Sequence, residues 1–237
     1  MTYEQVPYDA VIYWFYDAHC NLRCKYCFGL NTEEWKKRKQ SWSEDSLKEG
    51  NGRKGGFVRS GDPQPIDTER FLSVLERTGK IFKIVFSGSH AEPFTIPNFI
   101  EACKKISERH YIGMNTNLTL PVVCDFVKEI SPERVRSIVA SAHLDEMERL
   151  GLTGQYIQNF LFLKERGFNI SCLAVAYPSL TVKAESAQMF FKRNGIDLSF
   201  FPFYGTYEGR EYPKAYNKKE LDAFSFRKQD LKGQNFY

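Results

Sequence analysis

Six short apolar runs, each followed by a stretch with helical spacing or by a turn, set the tightest limit on how this chain folds. Asp9–Tyr16 reads as a buried first strand, being short, continuous and rich in β-formers. Lys83–Ser87, Tyr111–Asn115, Ser137–Ala142, Asn169–Ala176 and Leu198–Phe203 read as the next five strands. Asp67–Gly79 reads as a helix with Asp67 or Thr68 as its cap and Phe71, Leu72 and Leu75 on one face. Pro97–Arg109 repeats Phe99, Cys103 and Ile106 at i, i+4 and i+7, and Pro121–Ile130 opens on proline. Gln155–Arg166 ends at Gly167, and Ala184–Arg193 closes at Gly195. Strands and helices alternating in this way build a parallel sheet with outer helices and right-handed crossovers. Six βα units fall short of a closed eight-fold barrel. Ligands in such sheets sit at the carboxyl ends of the strands.

Two segments depart from the repeat. Residues 31–66 are long for a connection inside a compact domain and read as an insertion on the substrate or partner side. It holds a short helical stretch, Glu33–Ser41, and a Gly-rich polar run, Gly50–Gly56. The basic run Lys36–Lys39 follows Glu33 and Glu34, a spacing that suits ion pairing on a solvated helix face better than a phosphate site. Residues 1–204 therefore form the expected core, and residues 205–237 a polar extension without cysteine and with one helix, Lys218–Phe226.

The 237 residues suit one α/β domain with at most a small appendage. A net charge of +4 is too mild to indicate nucleic-acid binding. No apolar run is long enough to span a membrane, and the first residues lack the pattern of a secretory signal. The expected compartment is the cytoplasm, where thiols stay reduced.

Between the first strand and the insertion lies His19-Cys-Asn-Leu-Arg-Cys-Lys-Tyr-Cys-Phe28, which places Cys20, Cys24 and Cys27 in a C-x3-C-x2-C run. Four thiolates close an iron–sulfur cubane; three leave one iron open to another ligand. A zinc ion held by three Cys and one His is the alternative, with His19 and His90 available. Zinc ribbons pair two C-x2-C knuckles, and no second pair occurs here. Six cysteines are too few for a disulfide framework. Cys103, Cys124 and Cys172 fall in apolar helix and strand patterns and read as buried free thiols.

The C-x3-C-x2-C spacing, with the aromatic Tyr26 just before the last Cys, resembles the radical S-adenosylmethionine (radical SAM) superfamily. The resemblance extends over most of Asp9–Tyr204. It implies a (β/α)6 partial TIM-type barrel with a [4Fe–4S] cluster held by Cys20, Cys24 and Cys27, and SAM on the open iron. It also implies reductive cleavage of SAM to a 5′-deoxyadenosyl radical that takes hydrogen from a substrate, a peptide or a small molecule. The electron would come from a donor such as flavodoxin or ferredoxin.

Phe86-Ser-Gly-Ser-His-Ala-Glu-Pro-Phe94 is similar to the family's Gly-Gly-Glu-Pro-like motif, with one glycine missing and Ser89-His90-Ala91 intervening. That likeness implies SAM contacts from Ser87, Gly88 and Glu92; the plain alternative is a strand-to-helix turn with Glu92 near a helix start. Asn115 and Asn117 at the end of the third strand, and Ser141 and His143 at the end of the fourth, are the further implied contacts to SAM or substrate. Ser141 and His143 share a face if the strand continues. Tyr26 is the implied aromatic neighbour of the adenine. A glycyl-radical-enzyme activase is an alternative within the family; a non-catalytic iron–sulfur or zinc module is the alternative outside it.

Overall fold

The computed structural model describes residues 6–14, 20–27, 64–88, 91–229 and 231. His19, His90, the Lys36–Lys39 run and nearly all of the 31–66 insertion lie outside the described residues.

Six parallel strands form one sheet: β1 (Ala10–Trp14), β2 (Phe82–Phe86), β3 (Tyr111–Thr116), β4 (Val135–Ser141), β5 (Ile170–Ala176) and β6 (Leu198–Pro202). Their spatial order is β1-β2-β3-β4-β5-β6, so each strand pairs with its neighbour in sequence and β1 and β6 are the edges. The sheet is open, an α/β partial TIM-type barrel in agreement with the sequence. The helices are α1 (Thr68–Glu76), α2 (Phe99–Ser107), α3 (Val123–Glu129), α4 (Leu144–Leu150), α5 (Thr153–Glu165), α6 (Ala184–Arg193) and α7 (Lys218–Ala223). Asp67 caps α1 by accepting the Arg70 N–H. Gly151, Gly167 and Gly195, all with positive φ, end α4, α5 and α6 without the clash a Cβ would bring. No helix among the described residues is long and apolar enough to cross a membrane.

One face of every inner strand is apolar and packs on the helices. Phe82, Ile84 and Phe86 of β2, Ile112 and Met114 of β3, and Ile138 and Ala140 of β4 join Phe99, Cys103, Ile106 and Phe126 in the main core. Aromatic rings lock this layer edge to face: Phe86 on Phe99 at 5.0 Å and Phe94 on Phe126 at 5.6 Å. The first strand departs from expectation. Ile12 and Trp14 pack on the core, Trp14 against Phe71 of α1 at 4.3 Å, but Tyr13 is 63% exposed and Val11 is exposed too. The reason is topological: a continuous apolar run suits a strand covered on both faces, whereas the concave face of this open sheet is left exposed at Val11 and Tyr13.

The C-terminal stretch is less polar in the fold than in composition. β7 (Gly205–Tyr207) and β8 (Arg210–Tyr212) form an antiparallel hairpin turning at Glu208-Gly209, both with positive φ, as a tight hairpin requires. α7 opens with a reciprocal cap between Asn217 and Glu220. Tyr212, Tyr216 and Phe224 are buried in a second core with Phe203, Ala176, Leu180 and the Cys-loop residues Leu22, Cys24 and Tyr26. The Tyr216 hydroxyl donates to Ala176 O (2.6 Å) and accepts the Phe203 N–H (2.9 Å), pinning this stretch to the ends of β5 and β6. Tyr216→Phe is expected to lower stability by about 1–3 kcal/mol, since it removes a partner from two buried backbone groups. Urea unfolding checks this, and an unchanged midpoint would refute the pinning role.

Candidate active site at the carboxyl ends of the strands

The chain leaves β1 at its carboxyl end, and Cys20–Cys27 crosses to the second core at the ends of β5 and β6. The loop folds by short-range bonding: the Cys27 N–H donates to Cys24 O at 3.0 Å, a tight turn that brings two of the three thiols round one bend. Long-range bonds then fix it. Asn21 Nδ2 donates to Thr119 Oγ1 (2.8 Å), and Asn117 Nδ2 donates to Asn21 Oδ1 (2.7 Å). On the other side, the Arg23 N–H donates to the Glu146 carboxylate at 3.1 Å. Glu146, nearly buried in the first turn of α4, is held below the usual carboxylate range by its hydrogen bonds from Arg149.

Glu92 is the hinge of this arrangement. It is 2% exposed and precedes the 3-10 turn Pro93–Thr95, accepting the Phe94 N–H at 3.4 Å. Its carboxylate also accepts from Thr116 Oγ1 at 2.7 Å and from the Asn117 N–H at 2.6 Å. Thr116 Oγ1 itself accepts the Leu118 N–H, so its proton is directed to Glu92. Burial nevertheless raises the Glu92 pKa to about 7, the three donors opposing the shift. The carboxylate therefore braces the end of β3, and through Asn117 it reaches the Cys loop. Gly88 has no room for a side chain, because a Cβ there would stand 2.8 Å from that of Ala91.

The residues expected from the sequence fall into three groups. Ser87 and Asn115 meet on adjacent strand ends, where Asn115 Nδ2 donates to Ser87 Oγ at 3.0 Å. Glu92 and Asn117 join Cys20: Asn117 Nδ2 lies 3.7 Å from Cys20 Sγ and points its N–H at it. Tyr26 and His143 share a hydrogen bond of 3.1 Å between the hydroxyl and Nδ1, with Tyr177 against the other side of Tyr26. Burial pushes the His143 pKa down to about 4, so the ring is neutral at pH 7. Ser141 is half-buried at the last position of β4. His143 does not continue that strand face. The strand stops at Ser141 and His143 precedes α4 (φ −88°, ψ 73°), which turns its ring to Tyr26. Of the three remaining cysteines, Cys103 and Cys172 are buried as expected, while Cys124 on α3 is only half-buried.

Asn21, Thr116, Thr119 and Glu146 were not singled out in the sequence. The first three carried a signal, since Asn21 adjoins a Cys and Thr116 and Thr119 interleave with Asn117; Glu146 carried none, lying in a polar run with no spacing cue.

The donor set was weighed against an iron–sulfur cluster. None of the three cysteines is in a disulfide, Cys24 is buried, and burial pushes Cys20 up to about 12 and Cys24 higher still. The neighbouring thiolates raise Cys24 further, so three anions this close together need a cationic centre to offset them. The Leu22 N–H at 3.5 Å and Asn117 Nδ2 at 3.7 Å both aim at Cys20 Sγ, as donors do to cluster sulfurs. Among the described residues no three His, Cys, Asp or Glu side chains gather tightly enough for a single ion. A cluster asks for less, because each thiolate takes a separate iron. The residues present fit that group.

No protein-family model matches the sequence, and no curated protein sequence is significantly similar to it. Solved structures are similar in fold. Native anSMEcpe with bound AdoMet (S-adenosylmethionine) superposes with a TM-score of 0.59 at 16% identity, over 91% of this chain and 57% of that one. Native anSMEcpe with AdoMet and the Cp18Cys peptide gives 0.55, at the same identity and coverage. Streptococcus suis SuiB bound to the precursor peptide SuiA gives 0.52 at 16% identity, over 91% of this chain and 44% of SuiB. The chain thus spans about half the length of these proteins, and at this identity the likeness is one of fold.

Proposed function

We propose that this chain is a radical SAM enzyme acting on a peptide or small molecule. The observation that carries the reading is the C-x3-C-x2-C loop lying across the carboxyl end of an open six-stranded parallel sheet, with N–H donors aimed at its first sulfur. In this reading Cys20, Cys24 and Cys27 hold a [4Fe–4S] cluster, which when bound supplies an open iron for SAM and the electron that splits it to a 5′-deoxyadenosyl radical. Flavodoxin or ferredoxin is the class of donor that would deliver the electron.

The chain's own residues bind and orient. Ser87 and Asn115, respectively half-buried and exposed at their strand ends, offer hydroxyl and amide groups to the polar parts of SAM. Gly88 keeps the backbone of that turn open to close approach. Glu92 positions Asn117 and so the Cys20 side of the loop. Tyr26, its hydroxyl engaged with neutral His143, presents a fixed ring for packing near the adenine, and Ser141 lines the adjoining wall. A peptide substrate draws support from two observations: anSMEcpe and SuiB, alike in fold, are seen with peptides, and the concave face of this sheet is broadly exposed at Tyr13, Asn115, Ser171, Ser199 and Phe201.

The test is anaerobic reconstitution with iron and sulfide, then dithionite and SAM. Formation of 5′-deoxyadenosine is expected. A protein that holds a cluster yet yields none of this product is not a radical SAM enzyme.

A further inference from the structure

The concave face carries a pair of cations that the assignments above leave unused. Lys83 alternates with Phe82 and Ile84, which face the helices, so it belongs to the concave side of β2. A Cβ placed on Gly113 would stand 2.9 Å from Lys83 Cε and 3.1 Å from Ser137 Oγ. The lysine side chain therefore lies across β3, over the glycine, toward β4. Only glycine leaves that path open.

β4 is bulged at the same level. Ile112 pairs with Val135 and Gly113 with Ser137, so Arg136 is the extra residue. The carbonyl of Arg136 takes a hydrogen bond from Asn169 Nδ2 at 2.7 Å. Val135 and Ile138 both pack in the core, so the bulge leaves Arg136 and Ser137 together off that face, beside the lysine's path over Gly113, and the Arg136 charge adds to burial in lowering the lysine pKa. Among the described residues, no Asp or Glu pairs with either side chain. Like charges held together in a half-buried place without a counter-ion cost free energy, and an anion between them reverses the sign of that interaction.

We infer that Lys83 and Arg136 form an anion subsite on the concave face, which takes an acidic group of the substrate, a carboxylate or a phosphate. The inference rests on the proposed reading of the strand ends as the place of chemistry. The Lys83 Cε stands over Gly113, which pairs with Val85, two positions before Ser87, so the subsite sits roughly 7 Å below the mouth at about 3.3 Å per residue. A substrate bound there carries its acid apart from the carbon that reacts. That span suits an acidic group about two residues along an extended peptide, or the acid of a small molecule of similar length.

Calorimetric titration of the reconstituted protein at low ionic strength tests this with two probes, inorganic phosphate and N-acetylglutamate. Saturable binding of at least one is expected, and which one binds separates phosphate from carboxylate. Lys83→Met and Arg136→Gln should each weaken it roughly tenfold, the loss of one charge-assisted hydrogen bond, while Lys83→Arg retains it. Binding of neither probe by the parent protein, or unchanged binding in both charge-removing variants, overturns the subsite. Should Lys83→Met fail to fold, Arg136→Gln decides. The titration needs no SAM cleavage, so absent 5′-deoxyadenosine with intact anion binding counts against the enzyme reading alone, and the reverse counts against the subsite alone.

Discussion

Cys24→Ala is expected to leave a folded protein that binds no iron–sulfur cluster and forms no 5′-deoxyadenosine above background. Cys24 is buried among Leu22, Tyr26 and the aromatic side chains of the C-terminal stretch, and the change removes only its sulfur, so the fold should survive. A cluster left with two thiolates in this loop loses one of its three proposed protein ligands. Iron and sulfide content and the visible absorption of the reconstituted protein are the direct readouts. Cys124→Ala, on the half-buried face of α3, should leave both unchanged. Retained cluster and activity in Cys24→Ala would remove Cys24 from the ligand set. Loading should also strengthen as pH rises, because burial keeps the Cys20 and Cys24 thiols protonated and each must lose its proton to bind iron.

Glu92→Ala is expected to cost about 3 kcal/mol of stability. The alanine leaves the Thr116 hydroxyl and the Asn117 N–H buried without their acceptor, each costing about 1–3 kcal/mol. The pH dependence carries a second signature. The folded pKa of about 7 exceeds the usual 4.5, so the folded protein keeps a proton that the unfolded chain has already released. Stability from this group is therefore greatest below about pH 4.5 and declines as pH rises through about 7, by at most about 3 kcal/mol. Glu92→Gln cannot titrate and should flatten that slope. Denaturant unfolding at several pH values between 4 and 8 measures it, and identical slopes in parent and variant would contradict the shift.

The parts of this fold legible in the sequence are those set by local periodicity. β2 to β6 and the long helices announce themselves through apolar spacing, and the Cys loop through its own interval. What escaped depends on partners far along the chain. α4 is a seven-residue helix, Leu144–Leu150, whose polar run shows no clear stripe, and it forms because Met147 is buried and Glu146 meets the Cys loop. The β7–β8 hairpin has strands of three residues, too short for an alternation to register. The exposure of β1 at Val11 and Tyr13 follows from the open concave face of the sheet, which its own composition contradicts. At the site, strand ends were readable as polar positions. Their grouping was not: Glu92 reaches Thr116 and Asn117, Tyr26 reaches His143, and the bulge at Arg136 arises from register alone.

The second core ties the beginning of the chain to its last described helix. Leu22, Cys24 and Tyr26 are covered by Tyr212, Tyr216 and Phe224, so their packing waits until the segment that carries those rings has emerged from the ribosome. Contacts so distant in sequence form late, after the sheet and its helices give them a surface. Until then the Cys loop stays open to solvent. Closure of the aromatic cover then turns an accessible loop into a shielded one, and the order of synthesis itself schedules when that cover forms.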